Sequence, residues 1–300
     1  MRSSASAWRW RRRFHAYPGE RRPGATCSAC ACLIRAMKKI TSRDNPEFRH
    51  LLQLAGMART RRAEGSILLD GPHLIEAYFQ AYGSDAMSLV VRASSIDAPE
   101  VRRWLDPARP SLMLADGLFN ELSPVETPTG ILAVARLPTT RSDGAPGAGL
   151  QVFVDGVQDP GNLGAILRSA AAAGAHAVSL SAQCADPWSP KCLRGGMGAQ
   201  FLLSIADHQD LPAAIRRFPG RVLGASAQAE AALFEVDLTG PVAFAVGAEG
   251  KGISSDVLAV CAGLVRIPMA PGVESLNAAA AATLLFYEWR RRGSGRPGDI

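Results

Sequence analysis

The chain has 300 residues, of which 47% are hydrophobic and 20% charged, which is typical of a globular protein with one large or two average domains. This composition excludes collagen-like, wholly disordered and disulfide-framework proteins. The longest apolar stretch, residues 278–287, is much shorter than the roughly 20 residues that cross a bilayer, so we expect no membrane span.

The basic excess of the chain lies in its N-terminal arm, residues 1–36. The net charge is +6, yet the arm alone has eight arginines and one acid, and the remainder has 25 basic and 26 acidic residues. Three interpretations stay open: an extension from an upstream start codon, an organellar transit peptide, or a disordered arm that binds RNA non-specifically. We favour the first, because MKKITSRDNPEF from Met37 resembles a natural bacterial start.

The six cysteines predict neither a metal site nor a disulfide framework. Cys27, Cys30 and Cys32 form a C-x2-C-x-C run in the arm, but no second ligand pair follows at the spacing of a zinc site. The other three are scattered, as expected of reduced thiols in a cytoplasmic protein.

Residues 37–137 are predicted to form a small α/β domain. One helix is expected over residues 49–65, ending at Gly65 as a C-cap. Short apolar runs bounded by turn residues predict strands at 67–71, 87–92, 111–115 and 130–137, with helices at 72–83 and 99–106. Residues 138–149 are rich in Pro, Gly, Ser and Thr, and predict a flexible linker.

Residues 150–300 are predicted to form a second α/β domain in which strands and helices alternate. Strands are expected at 151–157, 176–181, 202–206, 221–227, 242–248 and 264–268. Helices are expected at 162–174, 191–201, 211–218, 254–261 and 275–292. In such sheets, ligands bind at the carboxyl ends of the strands, so the loops that follow the strands are candidate sites.

The first candidate loop is VDGVQDPGNLGAILRSA, which contains Asn162 and Arg168. These residues are six apart, so they lie less than two turns apart on a helix that begins near Asn162. Taken alone, this pattern is more typical of a helix cap followed by a surface arginine than of a catalytic site.

The second loop is FAVGAEGKGIS, in which glycines at 247, 250 and 252 surround Glu249. Glycines at this density suit a sharp bend or a close approach to a ligand. The spacing is neither G-x-G-x-x-G nor G-x4-G-K-[ST], so it does not predict a dinucleotide or P-loop phosphate site.

The third loop is VRIPMAPGVESLNAAAA, where Ser275 and Asn277 precede an apolar helix. Taken alone, the loop predicts that Ser275 is the N-cap of that helix.

Together and in this order, the three loops resemble the motifs of the SpoU (TrmH-type) RNA ribose 2′-O-methyltransferases of the SPOUT superfamily. The resemblance implies an α/β fold in which residues 150–300 form a trefoil-knotted methyltransferase domain. TSRDNPEF and LLDGPHLIEA in residues 37–137 also resemble the L7Ae-like RNA-binding domain of that family.

The resemblance also implies a cofactor and a set of site residues. S-adenosylmethionine would be bound through the backbone of Gly247, Ile267 and Leu276. Arg168 resembles the catalytic arginine of the family. Since a free guanidinium has a pKa above about 12, it is a poor base, and Arg168 is better suited to hold a phosphate beside the reacting hydroxyl. The acceptor and donor would be positioned by four further residues: Asn162, Glu249, Ser275 and Asn277.

The implied partners are RNA and a second copy of the chain. Ribosomal RNA is favoured over transfer RNA, and a homodimer would complete each site with the partner's motif-one arginine. Two alternatives remain: a catalytically inactive RNA-binding or assembly factor of the same fold, and a nucleotide-dependent α/β enzyme of another kind. Retention of Arg168, Glu249, Ser275 and Asn277 disfavours the first, and the missing phosphate fingerprints disfavour the second.

Overall fold

The computed structural model describes residues 37–83, 87–106, 111–123, 125–139 and 149–293. The predictions for the arm and for most of the linker lie outside these residues. The described residues from Met37 onward belong to one compact unit that contains two β-sheets. No described helix combines the length and the apolar character that crossing a bilayer requires.

The first sheet has five strands in the order β1-β4-β3-β5-β2. Three of them, β1, β4 and β3, run parallel, and β5 is antiparallel to both β3 and β2. The strands are β1 Lys38–Ile40, β2 Ser66–Asp70, β3 Met87–Arg92, β4 Ser111–Leu114 and β5 Ile131–Arg136. The helices are α1 Pro46–Gly56, α2 Ala58–Glu64, α3 Pro72–Tyr82, α4 Pro99–Arg102 and α5 Asp116–Leu122.

The prediction of one helix over residues 49–65 is wrong, because the chain breaks at Met57. That residue has an extended backbone (φ −115°, ψ 114°) and separates α1 from α2. Asn45 begins α1 by accepting hydrogen bonds from the backbone N–H groups of Glu47 and Phe48, and Gly65 ends α2 in the left-handed conformation. The predicted C-cap at Gly65 is therefore confirmed.

The second sheet has six parallel strands in the order β11-β9-β10-β6-β7-β8. Its strands are β6 Leu150–Asp155, β7 Ala175–Ser181, β8 Ser204–Gln209, β9 Arg221–Ala225, β10 Val242–Gly247 and β11 Gly263–Val265. Its helices are α6 Pro160–Ala173, α7 Pro190–Gly196, α8 Leu211–Arg217, α9 Ser255–Leu258 and α10 Ala278–Gly293.

The predicted helix 191–201 ends early, at Gly196. Met197 has a positive φ of 50° and Gly198 follows at 82°, so two left-handed residues stop α7 before a short 3₁₀ turn at Ala199–Phe201. This break lets the chain turn sharply before it enters β8.

Strand order in the second sheet reverses beside β6. From β6 the chain moves outward through β7 and β8, and it later returns to place β10 on the other side of β6. Asp155 at the end of β6 is in register with Gly247 at the end of β10. In doubly wound sheets such a reversal leaves a crevice at the carboxyl edge, where ligands bind.

The two sheets share one hydrophobic core. A single cluster of buried side chains includes Leu69 and Tyr78 from the region of the first sheet (residues 37–137, the first region) and Val154 and Phe201 from the region of the second sheet (residues 150–293, the second region). The rings of Tyr78 and Phe201 meet edge to face, with centroids 5.4 Å apart. A separate cluster on the other face of the second sheet packs α8 and α9 against β6 and β10.

Candidate functional site

Three polar side chains, one from each predicted motif, meet at the carboxyl edge of the second sheet. Asn162 lies in the first turn of α6, Glu249 lies in the turn after β10, and Asn277 directly precedes α10. The Asn277 Nδ2 group donates one hydrogen bond to Asn162 Oδ1 at 3.1 Å and another to the Glu249 carboxylate. A single amide therefore connects three loops that lie as many as 115 residues apart.

Asn277 also begins the terminal helix. Its Oδ1 accepts hydrogen bonds from the N–H groups of Ala279 (3.0 Å) and Ala280 (3.2 Å), which makes Asn277 the N-cap of α10. Those N–H donors identify the other amide atom as the NH₂ group that faces Glu249 and Asn162. Glu249 Oε1 also accepts from the Ala278 N–H at 3.2 Å, so the network satisfies three backbone donors of the helix.

The prediction that Ser275 caps this helix is wrong, since Asn277 does so two residues later. Ser275 is exposed and makes no hydrogen bond within the described part of the chain. The structure therefore does not join Ser275 to the cluster of Asn162, Glu249 and Asn277.

The glycines of the second motif are required by a close backbone approach. A Cβ atom on Gly247 would lie 2.1 Å from the carbonyl carbon of Gly252, which leaves no room for any side chain. Ala248 and Gly252 exchange two backbone hydrogen bonds, at 3.1 and 2.8 Å, and Gly250 and Gly252 both have positive φ. The result is a tight turn with Glu249 at its exposed tip.

Asp155 is a site residue to which the sequence analysis gave no role. It is buried at the end of β6, and its Oδ2 accepts a hydrogen bond from the Ser254 N–H at 2.9 Å. This contact ties the segment after the glycine turn to the central strand. The signal available in the sequence was an acid immediately after the apolar run of a predicted strand, in VDGVQDP.

A cavity of about 760 Å³ opens beside this network. Asn162 and Glu249 line it, together with the ends of β6, β7 and β8. Its described lining has five carboxylates (Asp155, Asp159, Asp210, Glu249 and Asp256) and one basic side chain, Lys251. The volume is sufficient for a small organic ligand, and the acidic lining disfavours a phosphate group inside it.

Asp159 at the rim of the cavity stabilises the start of α6. Its carboxylate accepts a hydrogen bond from the Asn162 N–H at 2.9 Å and forms an ion pair with Lys191 at 3.1 Å. Both contacts, the backbone hydrogen bond first, keep the pKa of Asp159 below its usual range. The negative charge at this helix N-terminus also interacts favourably with the helix dipole.

Arg168 lies outside the cluster, on the exposed surface of α6. Six residues correspond to roughly 9 Å along the helix and about 120° of rotation away from Asn162. No hydrogen bond or ion pair joins Arg168 to another described residue. Its guanidinium is therefore free to meet a group from outside the chain.

Of the three predicted cofactor residues, Gly247 ends β10, Ile267 follows β11 and Leu276 precedes α10. Gly247 and Ile267 are half-buried, and Leu276 is 37% exposed. Strand β9 pairs with β10 only as far as Ala245, so on that side the backbone at Gly247 extends beyond the sheet. Free main-chain groups beside apolar side chains suit a flat heteroaromatic ring that is bound without charged contacts.

Within the described residues, no group of three or more His, Cys, Asp or Glu side chains could hold a metal ion. Among the described cysteines, Cys184 is half-buried near the cavity, where its thiol contacts the Val154 carbonyl oxygen at 3.2 Å. Burial raises the pKa of Cys184, so the group is a neutral thiol at ordinary pH.

Comparison with known proteins gives one consistent result. Residues 149–287 match the SpoU rRNA Methylase family. An uncharacterized tRNA/rRNA methyltransferase of Synechocystis sp. is 35% identical over 264 residues, which cover 87% of this chain and 96% of the relative. The 23S rRNA (guanosine(2553)-2′-O)-methyltransferase RlmP of Bacillus subtilis is 30% identical, with 85% of this chain and 100% of the relative covered.

A solved structure agrees with these sequence matches. The SpoU methyltransferase AviRb from Streptomyces viridochromogenes, in complex with the cofactor AdoMet, superposes with a TM-score of 0.75. The two chains are 30% identical, and the superposition covers 84% of this chain and 100% of the other. The predicted α/β fold with a parallel sheet is confirmed by this match.

Proposed function

Because this chain belongs to the SpoU rRNA methylase family and is an S-adenosylmethionine-dependent RNA 2′-O-methyltransferase, we propose that methyl transfer takes place at the carboxyl edge of its second sheet. The observation that carries this location is the pair of hydrogen bonds from Asn277 to Asn162 and Glu249, which unites the three motifs. The relatives are named methyltransferases, and nothing in these matches supports the alternative of an inactive RNA-binding or assembly factor.

The cofactor is held beside the end of β10. S-adenosylmethionine, when bound, supplies a methyl group on a positively charged sulfur. The backbone of Gly247, Ile267 and Leu276 contacts its adenosine part, which the end of the β9–β10 pairing at Ala245, two residues before Gly247, supports. Exposed apolar side chains at Val273 (49%) and Leu276 (37%) line the same loop and become covered on binding.

The acceptor ribose binds against Asn162 and Glu249. Asn162 uses its Oδ1 for Asn277, which leaves its NH₂ group to donate to the ribose. Glu249 uses Oε1 for the start of α10, and its Oε2, which has no partner among the described residues, accepts a hydrogen bond from the 2′-hydroxyl. The nucleoside enters the acidic cavity, and the flanking phosphates stay outside it.

Arg168, supplied to each site by the second copy of a homodimer, holds a phosphate of the acceptor strand. A guanidinium remains protonated at any physiological pH, so Arg168 is a poor general base. Paired with the neighbouring phosphate, its positive charge fixes the strand, and the hydroxyl proton passes to the Glu249 carboxylate that accepts its hydrogen bond as the oxygen takes the methyl group. Ser275, exposed in the loop before α10, contacts the bound strand or cofactor from the other side.

The site is completed in a homodimer. Arg168 and Ala172 are exposed on α6, and Leu284 (43% exposed) and Tyr287 (46% exposed) are exposed on α10. A hydrogen bond of 2.6 Å between Ser169 and Thr283 joins the two helices. The exposed residues therefore lie on either side of the seam between α6 and α10. A second copy of the chain packs against this partly apolar surface. The partner's arginine then reaches the acceptor cavity.

The remaining family features belong to the same proposal. Ribosomal RNA is the favoured substrate and transfer RNA the alternative, in a cytoplasmic protein. Residues 37–137 are an L7Ae-like RNA-binding domain, 138–149 a linker and 150–300 a trefoil-knotted methyltransferase domain. The name of RlmP specifies a guanosine in 23S rRNA, which supports the ribosomal choice without identifying the nucleotide for this chain.

Substitution of Arg168 tests the proposed site. Arg168→Ala should lower tritiated methyl transfer to unmodified ribosomal RNA at least about 100-fold, the scale of removing one transition-state contact. Thermal unfolding and cofactor affinity by calorimetry should not change, since the side chain is exposed. Arg216→Ala, an exposed arginine on α8, is the matched control. Normal turnover by Arg168→Ala would refute the assignment.

A further inference from the structure

The short helix α7 is held near both of its ends by residues of the first sheet region. Asp186, four residues before α7, forms an ion pair with Arg61 of α2 at 2.5 Å. Arg194 in the last turn of α7 forms an ion pair with Asp70 at the end of β2, also at 2.5 Å. The first region supplies the arginine of one pair and the aspartate of the other, so the two pairs have opposite polarity.

The first pair is buried, and all three nitrogens of the Arg61 guanidinium donate hydrogen bonds. The Arg61 side chain is 3% exposed, and its Nη1 donates to the carbonyl oxygens of Leu54 (2.7 Å) and Ala55 (2.9 Å) near the end of α1. The other carboxylate oxygen of Asp186 accepts from the Trp188 N–H at 3.1 Å. Arg61 therefore fixes both the end of α1 and the segment that leads into α7.

The second pair is fixed on its aspartate side. The Asp70 side chain is 1% exposed and also accepts a hydrogen bond from Ser123 Oγ at 2.9 Å. Arg194 remains 35% exposed, so it reaches into the first region from the surface of α7. Together the two pairs determine where α7 lies against the first sheet.

Helix α7 in turn packs backbone to backbone on α6. A Cβ on Gly164 of α6 would lie 2.5 Å from the Cys192 carbonyl oxygen and 2.8 Å from the Gly196 nitrogen. A Cβ on Gly195 would lie 3.1 Å from the Gly161 carbonyl oxygen. Because no flexible side chain separates the two helices, a displacement of α7 must displace the first turns of α6.

Those first turns of α6 contain Asn162, and the same helix contains Arg168. We propose that Arg61 and Asp70 are positioning residues for methyl transfer, which act through α7 on the placement of α6. The inference rests on the proposed function of α6. It means that the first sheet region, besides any contact with RNA, sets the geometry of the active site in the second region.

Asp70 is the better residue for a test, because its loss should disturb geometry more than stability. Burial raises the pKa of Asp70, and the Ser123 hydrogen bond and then the Arg194 ion pair offset this effect only in part. Asp70→Asn keeps an acceptor for Ser123, and the released Arg194 can be solvated. We expect the unfolding temperature to change by less than about 4 °C.

The experiment compares Asp70→Asn, Arg194→Gln and the double variant in the full chain, with unmodified ribosomal RNA and labelled S-adenosylmethionine. Each single variant should lower kcat about 10-fold, within the range of coupling through packed elements, and leave KM for RNA and cofactor affinity within about twofold. The double variant should be no worse than either single variant. Arg194→Lys, which keeps the charge, should restore most of kcat.

Glu121→Gln is the matched control, because Glu121 pairs with Arg43 inside the first region and away from α7. It should leave kcat unchanged. The inference is overturned if the wild type is active and both single variants keep kcat within twofold, or if the two losses multiply in the double variant. A wild type that transfers no methyl group would overturn the proposed function, and this inference with it.

Discussion

The boundary between the two sheet regions and the carboxyl edge of the second sheet use charge in opposite ways. At the boundary, Arg61 is 3% exposed and donates to Asp186 and to two backbone carbonyls. At the edge, Glu249 is exposed, lines the cavity and leaves its Oε2 without a partner among the described residues. The boundary is complete as it stands, whereas the edge retains unused donors and acceptors. A buried ion pair whose partners lie within the protein indicates a role in holding the fold. An exposed charge that lacks a partner beside a cavity indicates a role in binding.

The largest expected effect is on the boundary. Arg61→Ala leaves Asp186 and the carbonyls of Leu54 and Ala55 without their donors, so it should lower the free energy of unfolding by about 3–5 kcal/mol. Arg43→Ala removes a pair whose arginine is 73% exposed and should lower it by less than about 1 kcal/mol. Urea unfolding measures both, and equal losses would remove the contrast between buried and exposed pairs.

Two variants of Asn277 separate its contacts with the other motifs from its role as a helix cap. Asn277→Ala should lower methyl transfer about 100-fold and the free energy of unfolding by about 1 kcal/mol, because it removes both the motif contact and the helix cap. Asn277→Asp keeps a capping oxygen but places a second carboxylate beside Glu249. It should lose as much transfer and little stability, and normal transfer by that variant would contradict the role of the amide.

Two glycines of the turn after β10 separate the effect of a steric clash from the effect of a strained backbone conformation. Gly247→Ala introduces a Cβ where the Gly252 carbonyl carbon is 2.1 Å away, so it should cost about 1–3 kcal/mol and weaken cofactor binding. Gly250→Ala meets no atom within 4 Å but has φ +77°, so only left-handed strain of about 1–2 kcal/mol applies. Calorimetry should show that cofactor affinity falls for the first variant alone; an equal fall for both would be inconsistent with the packing argument.

The smallest expected effect concerns acid stability at the end of α10. Contacts of Glu288 with Arg291, and then with Arg292, lower its pKa to about 2. A carboxyl whose pKa is lower in the folded state stabilises the fold above its unfolded pKa, near 4.5, and loses that contribution as the pH falls towards 2. Wild type should lose about 1 kcal/mol of unfolding free energy over this pH range that Glu288→Gln does not lose. The difference is small because Arg291 is 68% exposed. An equal loss in both proteins would show that the pair contributes nothing.

The grouping of the site residues came from a family resemblance, which can be recognised in the sequence because each motif is a short local pattern. Asn162, Glu249 and Asn277 were grouped from three separate loops, and hydrogen bonds join them in the structure. The alternative interpretation of Ser275 as a helix cap was wrong. Ser275 and Asn277 are both good caps, and only the backbone path decides which one faces the helix.

Long-range pairing was not predictable in the same way. Arg61 and Asp186 are 125 residues apart, and no pattern in either segment indicates the other. The break at Met57 is likewise invisible to helical periodicity, because apolar spacing continues across it. Sequence patterns thus identified the residues at the carboxyl edge of the second sheet. The ion pairs between the two sheet regions could be found only from the tertiary structure.

The most direct test of the account follows the methyl group itself. Unmodified ribosomal RNA is incubated with the wild-type chain and S-adenosylmethionine that has a deuterated methyl group, then digested to nucleosides and analysed by mass spectrometry. The account predicts that the label appears on a ribose 2′-oxygen, and that Arg168→Ala eliminates it while Arg216→Ala does not. Label on a base, or equal labelling by the wild type and Arg168→Ala, would contradict it.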